Sequence, residues 1–268
     1  MVTKDISEMC NKIRSLTSQM FIEEGMGHAG GVYSIIECIS VLFAKYIKDD
    51  PKDWFVLSKG HAGPAYYAAL CVKGKISEEA LMTSNKNGTL LPSHPDRNKT
   101  PGVDCTTGSL GQGISQAVGL AHGLKLQKKA GHVYCIIGDG ECNEGEVFEA
   151  FQYTVNKKLD NLTIIIDDNK KQVDGYTKEV SFNFHFDEIM PSLGFYTITI
   201  NGNSLDECDS AIQLCLNSNR PNCIVMNTIK GHGVPEIEQM SNCHHIHVDK
   251  TLSDILKKNI ELWEAGEE

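Results

Sequence analysis

Asp139 sits between Gly138 and Gly140, with Glu141 and Glu144 close behind, and a later apolar run ends in Asp167-Asp168-Asn169. A carboxylate at the end of a buried strand is costly to leave unpaired, so it calls for a cation. If the two strands are neighbours, Asp139 and the amide carbonyl of Asn169 supply two hard oxygen ligands of the kind Mg²⁺ or Ca²⁺ takes, and a diphosphate could complete the octahedron. Each motif also has a plainer reading: Gly-Asp-Gly is a common strand-to-turn signal and Asp-Asn a common helix N-cap.

His28, His61 and His94 each stand in a loop beside glycine or proline, away from any apolar helix face. A single loop histidine is usually a solvated polar residue, but a neutral imidazole can also accept or donate a proton near pH 7. Gly108, Gly111 and Gly113 open an amphipathic stretch. Without a Cβ the backbone there can approach a ligand, and the amides at a helix start favour negative charge.

These residues need elements to hold them. Apolar residues recur at helical spacing through Ile6, Met9, Ile13, Leu16 and Met20 and again from Ile35 to Tyr46, predicting two helices around a glycine-rich turn, Gly25 to Gly31. Short runs rich in β-branched residues, Phe55–Leu57, Val133–Ile137, Leu162–Ile166, Tyr196–Ile200 and Cys223–Met226, predict strands. Helical stretches at 113–128, 146–158 and 204–217 alternate with them, the last with Ser204 and Glu207 as a capping box. The alternation predicts an α/β fold, a doubly wound, mostly parallel sheet with helices on both faces, and one domain over 1–268. In such a sheet ligands bind beyond the carboxyl ends of the strands, which is where Gly138-Asp139-Gly140, Asp167-Asp168-Asn169 and Lys230-Gly231-His232-Gly233 fall.

Composition narrows the function. With 268 residues and 41% hydrophobic content there is ample material for a core, and disorder is excluded. A net charge of −10 opposes nucleic acid as a partner, because a duplex binder needs a basic face. No apolar run approaches the ~20 residues that span a bilayer. The charged, amphipathic N-terminus does not resemble a signal peptide, so the ten cysteines are expected to be reduced thiols in a cytoplasmic protein. No pair is spaced as CxxC, which argues against structural zinc.

Taken together, Ile137-Gly-Asp-Gly-Glu-Cys-Asn-Glu-Gly145 and Ile166-Asp-Asp-Asn169 resemble the thiamine diphosphate signature. Four more segments, Gly27-His-Ala-Gly-Gly31, Leu57-Ser-Lys-Gly-His-Ala62, Pro92-Ser-His-Pro95 and Thr106-Thr-Gly-Ser-Leu-Gly-Gln-Gly113, resemble transketolases in order and wording. The resemblance implies a metal held by Asp139, Asn169 and the main-chain carbonyl of Lys171, where the family usually has an apolar residue; the lysine is expected to turn to solvent. It implies cofactor contacts at His61, Gly108, Ser109, Leu110, Gly138, Gly140 and His244 as well, with Glu144 supporting the cofactor site. His61 would lie near the diphosphate and thiazolium, and His28 and His94 would line the sugar channel. Counting from Lys230-Gly-His-Gly233 favours His244 as the family's further histidine, then His245, with His247 a third candidate. His122, His132, His185 and His232 match nothing in the family and are taken as structural.

A complete transketolase is about twice this length. The absent half would supply the cofactor-activating glutamate and the sugar-phosphate contacts, so the resemblance implies a separate C-terminal, pyrimidine-binding subunit, an α2β2 assembly, and ketol transfer between sugar phosphates. Related half-sites acting on a modified sugar or a 2-oxo acid, and a degenerate regulatory subunit without turnover, are the rivals. A Rossmann dehydrogenase fails, since Gly108-Ser-Leu-Gly-Gln-Gly113 is neither GxGxxG nor placed after a clear strand.

Overall fold

The computed structural model describes residues 4–266, so the ends of the expected 1–268 domain lie outside the described residues. Five strands, β2 (Trp54–Leu57), β3 (Val133–Gly138), β4 (Leu162–Asp168), β5 (Tyr196–Asn201) and β6 (Asn222–Asn227), form one parallel sheet in the order β2-β3-β4-β6-β5. A two-residue ribbon, β1 (Met26–Gly27) against β7 (Ile246–His247), runs antiparallel outside it. The helices, in chain order, are α1 (Lys4–Glu24), α2 (Ala29–Tyr33), α3 (Ile36–Val41), α4 (Gly63–Val72), α5 (Glu78–Leu81), α6 (Gln112–Leu126), α7 (Gly145–Asn156), α8 (Thr177–Val180), α9 (Phe186–Leu193), α10 (Leu205–Leu216), α11 (Pro235–Glu238) and α12 (Lys250–Ala265).

Alternation along the strands separates two cores. Tyr134, Ile136, Ile165, Ile224 and Met226 pack with α1, α3, α4, α10 and α12, while Val133, Cys135, Ile137, Ile164, Ile166 and Val225 pack with α6, α7 and α9. Strands buried on both faces read as continuous apolar runs, which is why they were legible. The expected doubly wound sheet is present. All five strands extend beyond the expected runs, and the extension of β4 matters most: Asp167, expected in a loop, is a strand residue paired with Gly138 and Met226. By period-2 alternation it shares a face with Ile165.

Three local features differ from expectation. The predicted turn at Gly25–Gly31 gives way to β1 and the single-turn helix α2. Helix α4, GPAYYAALCV, has no polar face because nearly all of it is buried, so it carries no helical periodicity to read. The capping box is half formed: the Ser204 hydroxyl accepts from the Glu207 amide at 3.3 Å, but the Glu207 carboxylate accepts from Asn201 N at 2.8 Å. Among the described residues all ten cysteines are free, and no helix is long and apolar enough to cross a membrane.

Because Ile164 and Ile165 face opposite cores, Ile164→Ala and Ile165→Ala should each lower the unfolding free energy by about 2–5 kcal/mol in urea titrations. A near-neutral result for either would mean that its face of the sheet is not packed.

Candidate active site

Asp167 is fully buried and organises the ends of the strands. Its carboxylate accepts hydrogen bonds from Lys59 Nζ, Ser34 Oγ (2.7 Å), Asn169 Nδ2 (2.9 Å) and Thr228 Oγ1. Burial alone would raise its pKa; the Lys59 ammonium and the hydrogen bonds outweigh that and hold the carboxyl below its usual range. Lys59 is itself withdrawn from water. It reaches the pair because Gly60 lets the backbone turn against Gly108, where a Cβ would come within 2.7 Å of the Gly108 nitrogen.

Asp139 follows β3, and its amide donates to the Asp167 carbonyl at 3.1 Å. Its carboxylate accepts from Thr177 Oγ1 at 2.8 Å and from no cation among the described residues. Burial, reinforced by Asp167, pushes it up to about 6. Asn169 Oδ1 accepts from the Lys171 amide at 3.2 Å. The Lys171 carbonyl accepts from Lys230 Nζ at 2.7 Å, and that ammonium also lies 3.4 Å from the Gln172 carbonyl and 3.3 Å from His244 Nδ1. Burial, together with Lys59, lowers Lys230 to about 8. These residues, with Lys59, His61, Leu110, Gly138, Gly140 and Glu141, line a pocket of about 80 Å³. The buried Gln172 Nε2, also in the lining, has no hydrogen-bond partner among the described residues.

Several expected residues stand elsewhere. Lys171 does not turn to solvent: its ammonium donates to the carbonyls of Glu238 (3.3 Å) and Met240 (3.1 Å). Glu144 is exposed at the N-cap of α7, without a hydrogen bond to the pocket. An acid of the pocket lining itself is Glu141, buried and accepting from Ser58 Oγ (2.5 Å), Gly111 N (2.9 Å) and Gly138 N (3.2 Å). A 3-10 turn over Glu141–Asn143 folds this side chain back beneath β3. The amide of Gly111 is thus spent on Glu141, while Gly113 packs on Ser58 and Gly108 on His94 and Gly60, so these glycines serve close packing within the chain. Ser109 and Leu110 are exposed, Leu110 at the pocket rim.

The histidines converge as expected, with one addition. Ring centroids of His28 lie 5.7 Å from His61, 6.0 Å from His94, 5.3 Å from His244 and 4.7 Å from His245, and His61 lies 4.9 Å from His244. The β1–β7 ribbon and the Gly30 N to Cys243 O bond (2.9 Å) carry both His244 and His245 to the cluster; His247 is exposed. His244 lines the pocket, whereas His245 is exposed beside His28 and neither of those two is in the lining. Burial, assisted by neighbouring imidazoles, lowers His28 to about 4; burial and Lys230 lower His244 to about 3. His61 and His94 shift the same way through burial, so all four are neutral at pH 7. Of the four histidines taken as structural, His122 pairs with Tyr153, His132 with Thr163, and His185 precedes α9. His232 lies between Glu37 and Glu238.

Residues 6–261 match the transketolase thiamine diphosphate binding domain. The chain belongs to the transketolase family. It is 39% identical to the 6-deoxy-6-sulfo-D-fructose transketolase subunit of Clostridium sp. (strain MSTE9) over 98% of this chain and 94% of that subunit. With an apulose-4-phosphate transketolase subunit of Actinobacillus succinogenes the identity is 35%, over 82% of each chain. Against human transketolase-like protein 2 it is also 35%, but this chain spans only 42% of that protein's length. The transketolase of Campylobacter jejuni superposes with a TM-score of 0.89 at 28% identity, over 97% of this chain and 43% of that one.

In this transketolase-family chain, Asp167→Ala leaves the Lys59 ammonium buried and unpaired. It should cost about 3–5 kcal/mol of stability, whereas the double variant Lys59→Met/Asp167→Leu should recover most of it. Chemical denaturation measures both, and a loss below about 1 kcal/mol for Asp167→Ala would remove Asp167 from its central place.

Proposed function

We propose that this chain is the diphosphate-binding subunit of a split, thiamine diphosphate-dependent transketolase that moves a two-carbon ketol unit from a ketose phosphate to an aldose phosphate. The observation that carries the reading is the meeting of Asp139, Asn169 and the Lys171 carbonyl at neighbouring strand ends, facing a wall of neutral imidazoles.

The residues fit the cofactor and its metal. Asp139 is a buried carboxylate without a cationic partner among the described residues, and the Lys171 carbonyl already holds a cation, Lys230. Asp139, Asn169 and the Lys171 carbonyl would hold Mg²⁺ or Ca²⁺. Among the described residues no three His, Cys, Asp or Glu side chains form a metal site; this proposed set has one such side chain and needs diphosphate oxygens to complete it. Lys230 and the unpartnered Gln172 amide would meet the diphosphate. Thiamine diphosphate, when bound, supplies the nucleophilic carbon and the electron sink for breaking the bond beside the ketose carbonyl. His28, His61, His94 and His244 orient the sugar hydroxyls and hold or pass their protons, neutral at pH 7 because burial suppresses protonation, with nearby lysines adding to it at His28, His61 and His244.

The half-site reading rests on the same pocket. Its 80 Å³ falls well short of the roughly 300 Å³ of a cleft that encloses a small molecule. Glu144, Ser109 and Leu110 stand exposed near Gly111, where a pyrimidine-binding partner subunit would cover them in an α2β2 assembly. Glu144 would then support the cofactor from that interface. A second reading, ketol transfer from a modified sugar, is favoured by the sulfofructose and apulose phosphate transketolase subunits among the relatives. A regulatory subunit without turnover would have no use for Asp139 and Asn169.

Ketol transfer by the purified chain alone should stay at background and appear when the pyrimidine-binding partner subunit is added; full activity of the lone chain would overturn the split. In calorimetry on the two-subunit complex, Asp139→Ala should weaken Mg²⁺-dependent thiamine diphosphate binding by about 100-fold or more, and an unchanged affinity would refute the metal assignment.

A further inference from the structure

Between Lys170 and His185 a single residue is buried, Thr177, at the start of α8. Threonine is mostly a surface residue, so an otherwise exposed segment that drives one hydroxyl inward does so for what that hydroxyl meets. It meets Asp139: Thr177 Oγ1 donates to Asp139 Oδ2 at 2.8 Å, and no other side chain donates to this carboxylate among the described residues. The Gly140 amide acts on the carboxylate as well. The segment that delivers Thr177 is braced at several points. It leaves β4 at Asn169, whose Oδ1 accepts from the Lys171 amide, and turns back through the Gln172 N to Gly175 O bond (2.8 Å) and an antiparallel bridge between Lys171 and Tyr176. Thr177 N then donates to Lys170 O at 2.9 Å. Lys170 stands at φ 62°, a left-handed conformation that a residue with a side chain keeps only where its surroundings impose it.

One short loop thus begins with two of the proposed metal ligands, Asn169 and the Lys171 carbonyl, and ends on the third, Asp139, through Thr177. Each ligating side chain has a partner that holds it: Asn169 donates to Asp167 through Nδ2 at 2.9 Å, and Asp139 accepts from Thr177. A carboxylate free to turn about its Cβ–Cγ bond offers a cation a spread of orientations. One pinned at a single oxygen offers few, and hydrogen bonds that orient a ligand in this way set metal affinity. On the metal reading given above, we propose that Thr177 is the positioning residue of Asp139, its hydroxyl fixing the rotation of the carboxylate that meets the cation. The loop that carries Asn169 and Lys171 then sets the orientation of the third ligand as well. Thr177 takes no part in the chemistry and acts only through Asp139.

Mn²⁺ takes the same oxygen ligands as Mg²⁺ and is read directly by electron paramagnetic resonance. The two-subunit complex with thiamine diphosphate can therefore be titrated with it, and the bound ion measured without reference to turnover. Thr177→Val keeps the shape of the side chain and removes the hydroxyl. It should raise the Mn²⁺ dissociation constant about tenfold, while Thr177→Ser, which restores the donor, should stay within about twofold of the unsubstituted complex. Titrations are run well below each variant's unfolding midpoint, and Thr177→Ala carries the same expectation should Thr177→Val not fold. A rise of less than about threefold in Thr177→Val would overturn the positioning role. So would a loss in Thr177→Ser equal to that in Thr177→Val, which would assign the effect to packing of the loop. Asp139→Ala separates the two levels: binding weakened there and unchanged in Thr177→Val sinks the role of Thr177 alone, whereas binding unchanged in both sinks the metal assignment with it.

Discussion

Lys59 and Asp167 are both withdrawn from water, and the carboxyl end of the sheet is arranged around keeping them paired. Each ion loses several kcal/mol of hydration on burial, recovered only where geometry is good and the remaining lone pairs are filled. Here they are filled, because Ser34, Asn169 and Thr228 bring the segment after α2 and the ends of β4 and β6 onto the same two oxygens. The neighbouring Asp139 shares the backbone of this arrangement without a share of its charge. One carboxylate is therefore spent on structure, and the adjacent one is left wanting a cation. On the function proposed, that difference in pairing is what separates the framework from the working group.

The local charge runs against the global one. The chain carries a net charge of −10, yet the pocket is bordered by two buried ammonium groups, Lys59 and Lys230. The Lys59 charge is answered by Asp167, and Asp139 and Glu141 share the lining; both ammonium groups add to burial in discouraging protonation of His61 and His244. Imidazole neutrality therefore comes from burial first and from these ammonium groups second.

Much of this was legible in the sequence, and the parts that were not share a physical cause. The inner strands were readable because burial on both faces leaves unbroken apolar runs, the half-exposed edge strand β5 because its β-branched residues stand out, and the loops because glycine, aspartate and histidine are conspicuous there. Asp167 is not legible as a strand residue because a charged residue within a strand reads as its end; only the register with Gly138 and Met226 reveals it. Glu141 and Glu144 differ by one tight turn, and no spacing rule says which of two acids a 3-10 turn will fold inward. Lys230 served only as a landmark for counting to His244, although a lysine between a strand end and a glycine was itself a signal. Spacing favours His244 over His245, yet both reach the cluster, since the ribbon that delivers them is two residues long and leaves no periodicity.

That ribbon has a temporal consequence. It joins a segment near the beginning of the chain to one near its end, and with the Gly30 N to Cys243 O bond it brings His28 to His244 and His245. Contacts of such large sequence separation form late, because the entropy of closing the intervening chain must be met first. During synthesis, the Asp139 and Asn169 loops emerge long before the imidazole cluster can close, so a nascent chain holds the proposed metal ligands well before it holds that cluster complete.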